Sequence, residues 1–165
     1  MSAPSPEESA RPVPPLAEAP GISREPPGAR LARGVCRALC EFGCAPLTEV
    51  TLSTGRRADV LALDGRGGIL IVEVKSSLAD FRSDGKWRDY LEFCDRFYFA
   101  VPVEFPREVL PDDCGLMLAD PYHAEVLREA PASALAPARR KAVTLRFAQL
   151  ASRRLLRLND PASSV

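Results

Sequence analysis

The sequence predicts an α/β domain with a mixed sheet flanked by helices and a core order of α-β-β-β-α-β. Three observations lead there. Apolar residues at 31, 35, 38, 39 and 42 recur at helical spacing and stop at Gly43. Three short strand-like runs follow, separated by Gly or Asp turns, as in an antiparallel meander. A second helical region then precedes a fourth apolar run, RFYFAVPV.

The first helix is expected in ARLARGVCRALCEFG, up to Gly43. APLTEVTLS gives a strand at about 46–53, GRRADVLALD one at about 56–64, and GGILIVEVK one at about 67–75. The third is apolar on both faces from Ile69 to Val72, so it belongs in the centre of a sheet covered on both sides. SSLADFRSDGKWRDYLEFCDR is the second helical region, weakened early by Gly85, with Trp87, Leu91 and Cys94 on one stripe. Ser76 or Ser77 caps it, with Asp80 completing an S-x-x-D pattern. Pro102 ends the fourth strand. CGLMLAD and AEVLREA form two more strands around Asp120-Pro121, and 137–157 forms a last helix.

At 165 residues there is room for one domain over 29–158, a Pro-, Ala- and Glu-rich disordered arm over 1–28 and a flexible tail over 159–165. No apolar run approaches the roughly 18 residues of a membrane span, and the start resembles no signal peptide. A cytoplasmic protein is expected. Five cysteines, without a CxxC and beside a lone histidine, point to small buried free thiols rather than zinc. Net charge is zero but uneven. Residues 137–158 hold seven basic side chains and no acid (Arg139, Arg140, Lys141, Arg146, Arg153, Arg154 and Arg157). A neutral total can hide a basic surface that attracts a polyanion.

The chemistry lies in the hairpin RRADVLALDGRGGILIVEVKSS. A three-residue turn on Gly65-Arg66-Gly67 makes paired positions sum to 132. Asp59 then faces Glu73 across the strands, and Arg57 faces Lys75. Two opposed carboxylates in an apolar hairpin need compensation. A proton, a nearby cation (Lys75 or Arg57) or a divalent metal could each supply it. Paired carboxylates with room for water and phosphate suit Mg²⁺ or Mn²⁺. Lys75 shares a strand face with Glu73, where it could orient a water or stabilise charge on a phosphate. These residue types fit metal-assisted phosphodiester hydrolysis, with Asp59 and Glu73 as ligands. The plain alternative is a solvated Glu-x-Lys at a strand end.

RADVLAL followed by GILIVEVKSS resembles the D-(X)n-(D/E)-X-K signature of the PD-(D/E)XK nuclease superfamily, over about 30–103. The longer stretch from GRRADVLALD to RFYFAVP, together with LAPARRKAVTLRFAQLASRRLLRL, is similar to the MmcB family of bacterial DNA repair proteins, over about 43–157. The resemblance implies a restriction-endonuclease-like core and a nucleoid-associated role in DNA repair, with DNA and other repair proteins as partners. It places the catalytic acids at Asp59 and Glu73 and the lysine at Lys75. Ala58 stands where the superfamily name has proline. Many relatives add an acid from the first helix. Glu41 is a candidate, although a solvated glutamate is the simpler reading; Glu49 on the first strand is the other.

Lys86 and Tyr90, one helical turn apart, could touch the scissile phosphate. Arg56 and Arg57 could hold phosphate or balance nearby acids. Arg139, Arg140 and Lys141 open a helix where basic charge opposes the dipole, which suggests DNA contact. His123 is given no role. A catalytically inactive DNA-binding or adaptor protein remains the alternative to a nuclease.

Overall fold

The computed structural model describes residues 25–162. The arm expected over 1–28 therefore lies outside the described residues up to 24, as does the tail beyond 162. Pro27 and Gly28, counted with the arm, already belong to the first helix.

That helix, α1, spans Pro27–Glu41 and starts on a proline, whose missing N–H is no loss there. It buries Leu31, Val35, Ala38 and Leu39, whereas Phe42 is exposed. Gly43, at φ +76, ends it. Gly43 N–H donates to the Cys40 carbonyl and Cys44 N–H to that of Leu39, both at 2.9 Å, which satisfies two terminal carbonyls.

The strands are β1 (Ala45–Thr51), β2 (Arg57–Leu63), β3 (Ile69–Val74), β4 (Arg96–Val101), β5 (Gly115–Ala119) and β6 (Ala124–Arg128). They form one sheet in sequence order. β1-β2-β3 is an antiparallel meander, β3-β4-β5 is parallel, and β6 returns antiparallel, so the sheet is mixed. β3 is buried at every residue, as expected of a covered central strand. One face packs on α1 through Val60, Val72, Tyr98 and Met117. The other carries the aromatic core of Trp87, Tyr90, Phe93, Phe97 and Phe99, closed by Val143 and Phe147 of α3 (Pro137–Asn159).

The second helical region departs from the expected continuous helix. It is a six-residue α2 (Leu78–Ser83) and a 3₁₀ helix over Trp87–Phe93, separated by Asp84-Gly85. Ser77 caps α2, its hydroxyl accepting from Asp80 N–H at 3.2 Å. The 3₁₀ repeat of three residues per turn buries Trp87, Tyr90 and Phe93. Leu91, expected on the Trp87 stripe, is exposed instead. The cysteines are free; Cys94 and Cys114 are buried, but Cys40 is exposed, so burial does not extend to every thiol. Among the described residues no helix is long and apolar enough to cross a membrane.

Candidate active site

The β2–β3 hairpin turns where its glycines require it. Gly67 has φ +81, and Asp64 N–H donates to the Gly68 carbonyl at 2.9 Å. Pairing then runs Leu63↔Ile69, Leu61↔Ile71 and Val60↔Val72. This is the register that sets Asp59 level with Glu73.

At that level the ladder stops and side chains replace it. Asp59 N–H donates to Glu73 Oε1 at 3.2 Å, and Val74 N–H donates to Asp59 Oδ2 at 2.8 Å. The two carboxylates are thus wedged between diverging strands, each satisfying a backbone donor of the other strand. β1 is disturbed at the same level. Its pairing with β2 runs Thr48↔Val60 and Val50↔Ala58 and skips Glu49, which sits at φ +55. Such a backbone costs a non-glycine residue about 1 kcal/mol. Glu49, Asp59 and Glu73 therefore lie abreast on three neighbouring strands.

A cleft of about 340 Å³ opens there, between the first turns of α1 and the start of α2. Its charged lining is Glu49, Asp59, Glu73, Asp80, Arg57 and Lys75. Four acids against two bases leave two negative charges uncompensated when all are ionised.

Lys75 is 5% exposed. Its Nζ lies 2.7 Å from Asp84 Oδ2 and 3.8 Å from Glu73 Oε2. Burial, then the Asp59 charge, pushes the Glu73 carboxyl up to about 8. Burial also raises Asp59, although the Val74 N–H and Lys75 oppose it. For Lys75, burial works against the ammonium, but the Asp84 hydrogen bond and the Glu73 charge outweigh it, so its pKa is raised. Buried acids that hold their protons this firmly are groups that a cation in the same place would ionise.

The structure thus brings Asp59, Glu73, Lys75, Glu49 and Arg57 together. Arg57 Nε pairs with Glu49 at 2.5 Å. Tyr90 and Arg56 stand beside them: the Tyr90 hydroxyl donates to the Arg57 carbonyl at 3.0 Å, and Arg56 pairs with Asp89 at 2.7 Å. Lys86 is exposed and precedes the 3₁₀ helix. Arg139, Arg140 and Lys141 are elsewhere. Arg140 bonds both oxygens of Asp95 at 2.6 Å and the Gly67 carbonyl at 2.8 Å. That is the start of β3, six residues or about 20 Å from Glu73. Arg139 pairs with Glu92. Glu41 lies at the far end of α1, exposed and 3.7 Å from the exposed His123; it is a solvated acid, whereas Glu49 lines the cleft.

Two participants escaped the sequence. Asp84 holds Lys75 across nine residues, and its only local sign is the Asp-Gly break. Asp80, expected only as a capping residue, also lines the cleft.

By donor chemistry, the side chains of the cleft that could hold a divalent ion are Asp59 and Glu73. Among the described residues no three His, Cys, Asp or Glu side chains are grouped to hold a metal. Asp59 and Glu73 are nevertheless hard oxygen donors in a cleft with surplus negative charge. Mg²⁺ commonly takes one or two carboxylates and completes its shell with water and phosphate.

The solved structure of the SPO1766 protein of unknown function from Silicibacter pomeroyi is similar to this chain. It is 48% identical with a TM-score of 0.84, over 86% of this chain and 97% of that one. No curated protein matches. The family model for MmcB-like DNA repair proteins matches residues 21–162, so the chain belongs to the MmcB-like DNA repair protein family.

Proposed function

We propose that the protein is a divalent-metal-dependent nuclease of the PD-(D/E)XK type that hydrolyses phosphodiester bonds of DNA during repair. The supporting observation is the splayed end of β2 and β3, where Asp59 and Glu73 are wedged side by side with the Lys75 ammonium next to them. The oxygens not engaged by backbone, Asp59 Oδ1 and Glu73 Oε2, would hold Mg²⁺ or Mn²⁺. The ion would supply Lewis-acid polarisation of a phosphoryl oxygen. Lys75, fixed by Asp84, orients the attacking water and stabilises charge growing on the phosphate. Arg57 lines the same cleft, paired with Glu49, and any contact it makes to the substrate strand is to the backbone, which confers no sequence preference. The element order from α1 to β4, with α2 and the 3₁₀ helix together as the second helical region, supports this reading.

One observation favours a second reading. Lys75 is already paired with Asp84 and both carboxylates are already hydrogen-bonded, a self-satisfied arrangement that a non-catalytic DNA-binding protein or adaptor could retain. Labelled single-stranded, duplex, nicked, flap and forked DNAs, incubated with Mg²⁺, Mn²⁺ or EDTA, separate the two. The nuclease requires metal-dependent cleavage that Lys75→Ala and Asp59→Asn each reduce at least 100-fold, about 3 kcal/mol of transition-state stabilisation. Binding without cleavage under every condition would establish the second reading.

A further inference from the structure

The expected DNA-binding cluster at the start of α3 is largely neutralised: Arg139 pairs with Glu92, and Arg140 with Asp95. The second half of the same helix is different. Residues 146, 149, 150, 153 and 154 recur at i, i+3, i+4, i+7 and i+8, which is one helical face. They form a wall of a groove of about 250 Å³, with Glu49 and Thr51 of β1 opposite.

Two of the three guanidinium groups in this groove are held without being neutralised. Arg146 donates to the Thr51 carbonyl. Arg154 donates to the Thr48 and Glu49 carbonyls, at 2.5 and 3.0 Å. Carbonyls orient a guanidinium and leave its charge intact. Arg153 pairs with no acid among the described residues, and α3 contains none. The one acid in the groove, Glu49, is neutralised from outside it by Arg57. Glu49 also lines the cleft with Asp59 and Glu73, so groove and cleft adjoin at that residue.

We propose that the Arg146–Arg153–Arg154 face of α3 is the track along which a nucleic-acid strand lays its phosphates on the way into the cleft. This rests on the DNA substrate proposed above. The nine residues from 146 to 154 span about 12 Å, the axial rise of roughly three to four nucleotides of one duplex strand at about 3.4 Å each. Unneutralised guanidinium groups, two of them fixed by carbonyls, suit that spacing, and their bidentate geometry suits phosphate oxygens.

The test compares two charge reversals of equal size, Arg153→Glu in the groove and Lys141→Glu at the other end of the helix. Binding of labelled duplex and single strand is measured by anisotropy in EDTA over a salt series, and Mn²⁺-dependent cleavage is measured in parallel. Among the described residues Arg153 has no acid partner to lose, and a thermal melt matching wild type confirms an intact fold; Arg153→Ala serves as the milder variant. Arg153→Glu is expected to weaken binding about tenfold or more and to lower the slope of log K against log salt by about 1. Lys141→Glu is expected to stay within about threefold of wild type. Equal losses in both variants, no loss in Arg153→Glu, or no DNA binding by wild type would each overturn the track. Selective loss in Arg153→Glu, with no cleavage by wild type, keeps the track and removes the hydrolytic reading. Cleavage that needs Lys75 but ignores Arg153→Glu does the reverse.

Discussion

The Glu73 carboxyl makes the protein weaker as the solution becomes less acid. Burial and the Asp59 charge lift it from an ordinary 4.5 to about 8 in the folded chain. The folded state therefore holds the Glu73 proton more tightly than the unfolded chain does. Between about pH 4.5 and 8 unfolding releases that proton, so stability falls as the pH rises and levels off above 8. At about 1.4 kcal/mol per pKa unit, the loss is about 3–5 kcal/mol, a large part of a typical domain's stability. Asp59 moves in the same direction. The assay is urea unfolding in EDTA at pH 5, 6, 7 and 8, followed by the fluorescence of Trp87. It is the only tryptophan, and it stacks on Phe97 at 5.2 Å. Glu73→Gln keeps the shape and an oxygen for the Asp59 N–H but cannot ionise. It should match wild type near pH 5, exceed it by a few kcal/mol at pH 8, and show a shallower pH slope. Mn²⁺ at pH 8 should restore stability to wild type more than to the variant. Wild-type stability that is flat or rising from pH 5 to 8, or a variant with an unchanged slope, would refute the reasoning.

Three further perturbations have definite outcomes. Asp95 is held down to about 2, first by the Arg140 hydrogen bond and further by the Ile69 and Leu135 N–H groups. Its contribution of about 2 kcal/mol is present above about pH 4 and disappears as the pH falls through 2; Asp95→Asn should flatten that acid limb of a denaturation series. A Cβ at Gly34 would lie 1.9 Å from the Asp120 carbonyl oxygen and 2.7 Å from that of His123. These are backbone atoms that cannot swing aside, so Gly34→Ala should lower stability by at least 2 kcal/mol in chemical denaturation. Glu49→Gly removes the unfavourable φ of +55 and an exposed ion pair of small worth; its midpoint of unfolding should rise by the equivalent of about 0.5–1 kcal/mol.

Much of the site was legible because glycine and a two-residue period determine it. The turn on Gly65–Gly67 leaves one pairing, and that pairing puts Asp59 level with Glu73, with Lys75 on the Glu73 face. The meander, the buried central strand and the Gly43 stop follow from equally local chemistry. The second helical region misled because WRDYLEFC supports two stripes. A period of 3.6 selects Trp87, Leu91 and Cys94, whereas a period of three selects Trp87, Tyr90 and Phe93. Packing against Phe97 and Phe99 decided for the second. The two ends of the basic helix differ for a reason the sequence does not carry. Arg140 and Arg153 look alike in sequence, but Asp95 meets one of them across 45 residues, and among the described residues no acid meets the other. Only the tertiary fold can assign such partners, as it alone reveals Asp84 beneath Lys75.

The arginines of α3 have a second effect, on how the molecule meets its own kind. β1 is an edge strand, and an edge normally presents bare carbonyls on which another chain can build. Here the carbonyls of Thr48, Glu49 and Thr51 are already taken by Arg154 and Arg146. An incoming strand would have to displace two charged side chains before it could form its first bonds. The meander is thereby closed to strand addition on that side, and the acids it carries can remain at the rim of an open edge without that edge becoming a seed for aggregation.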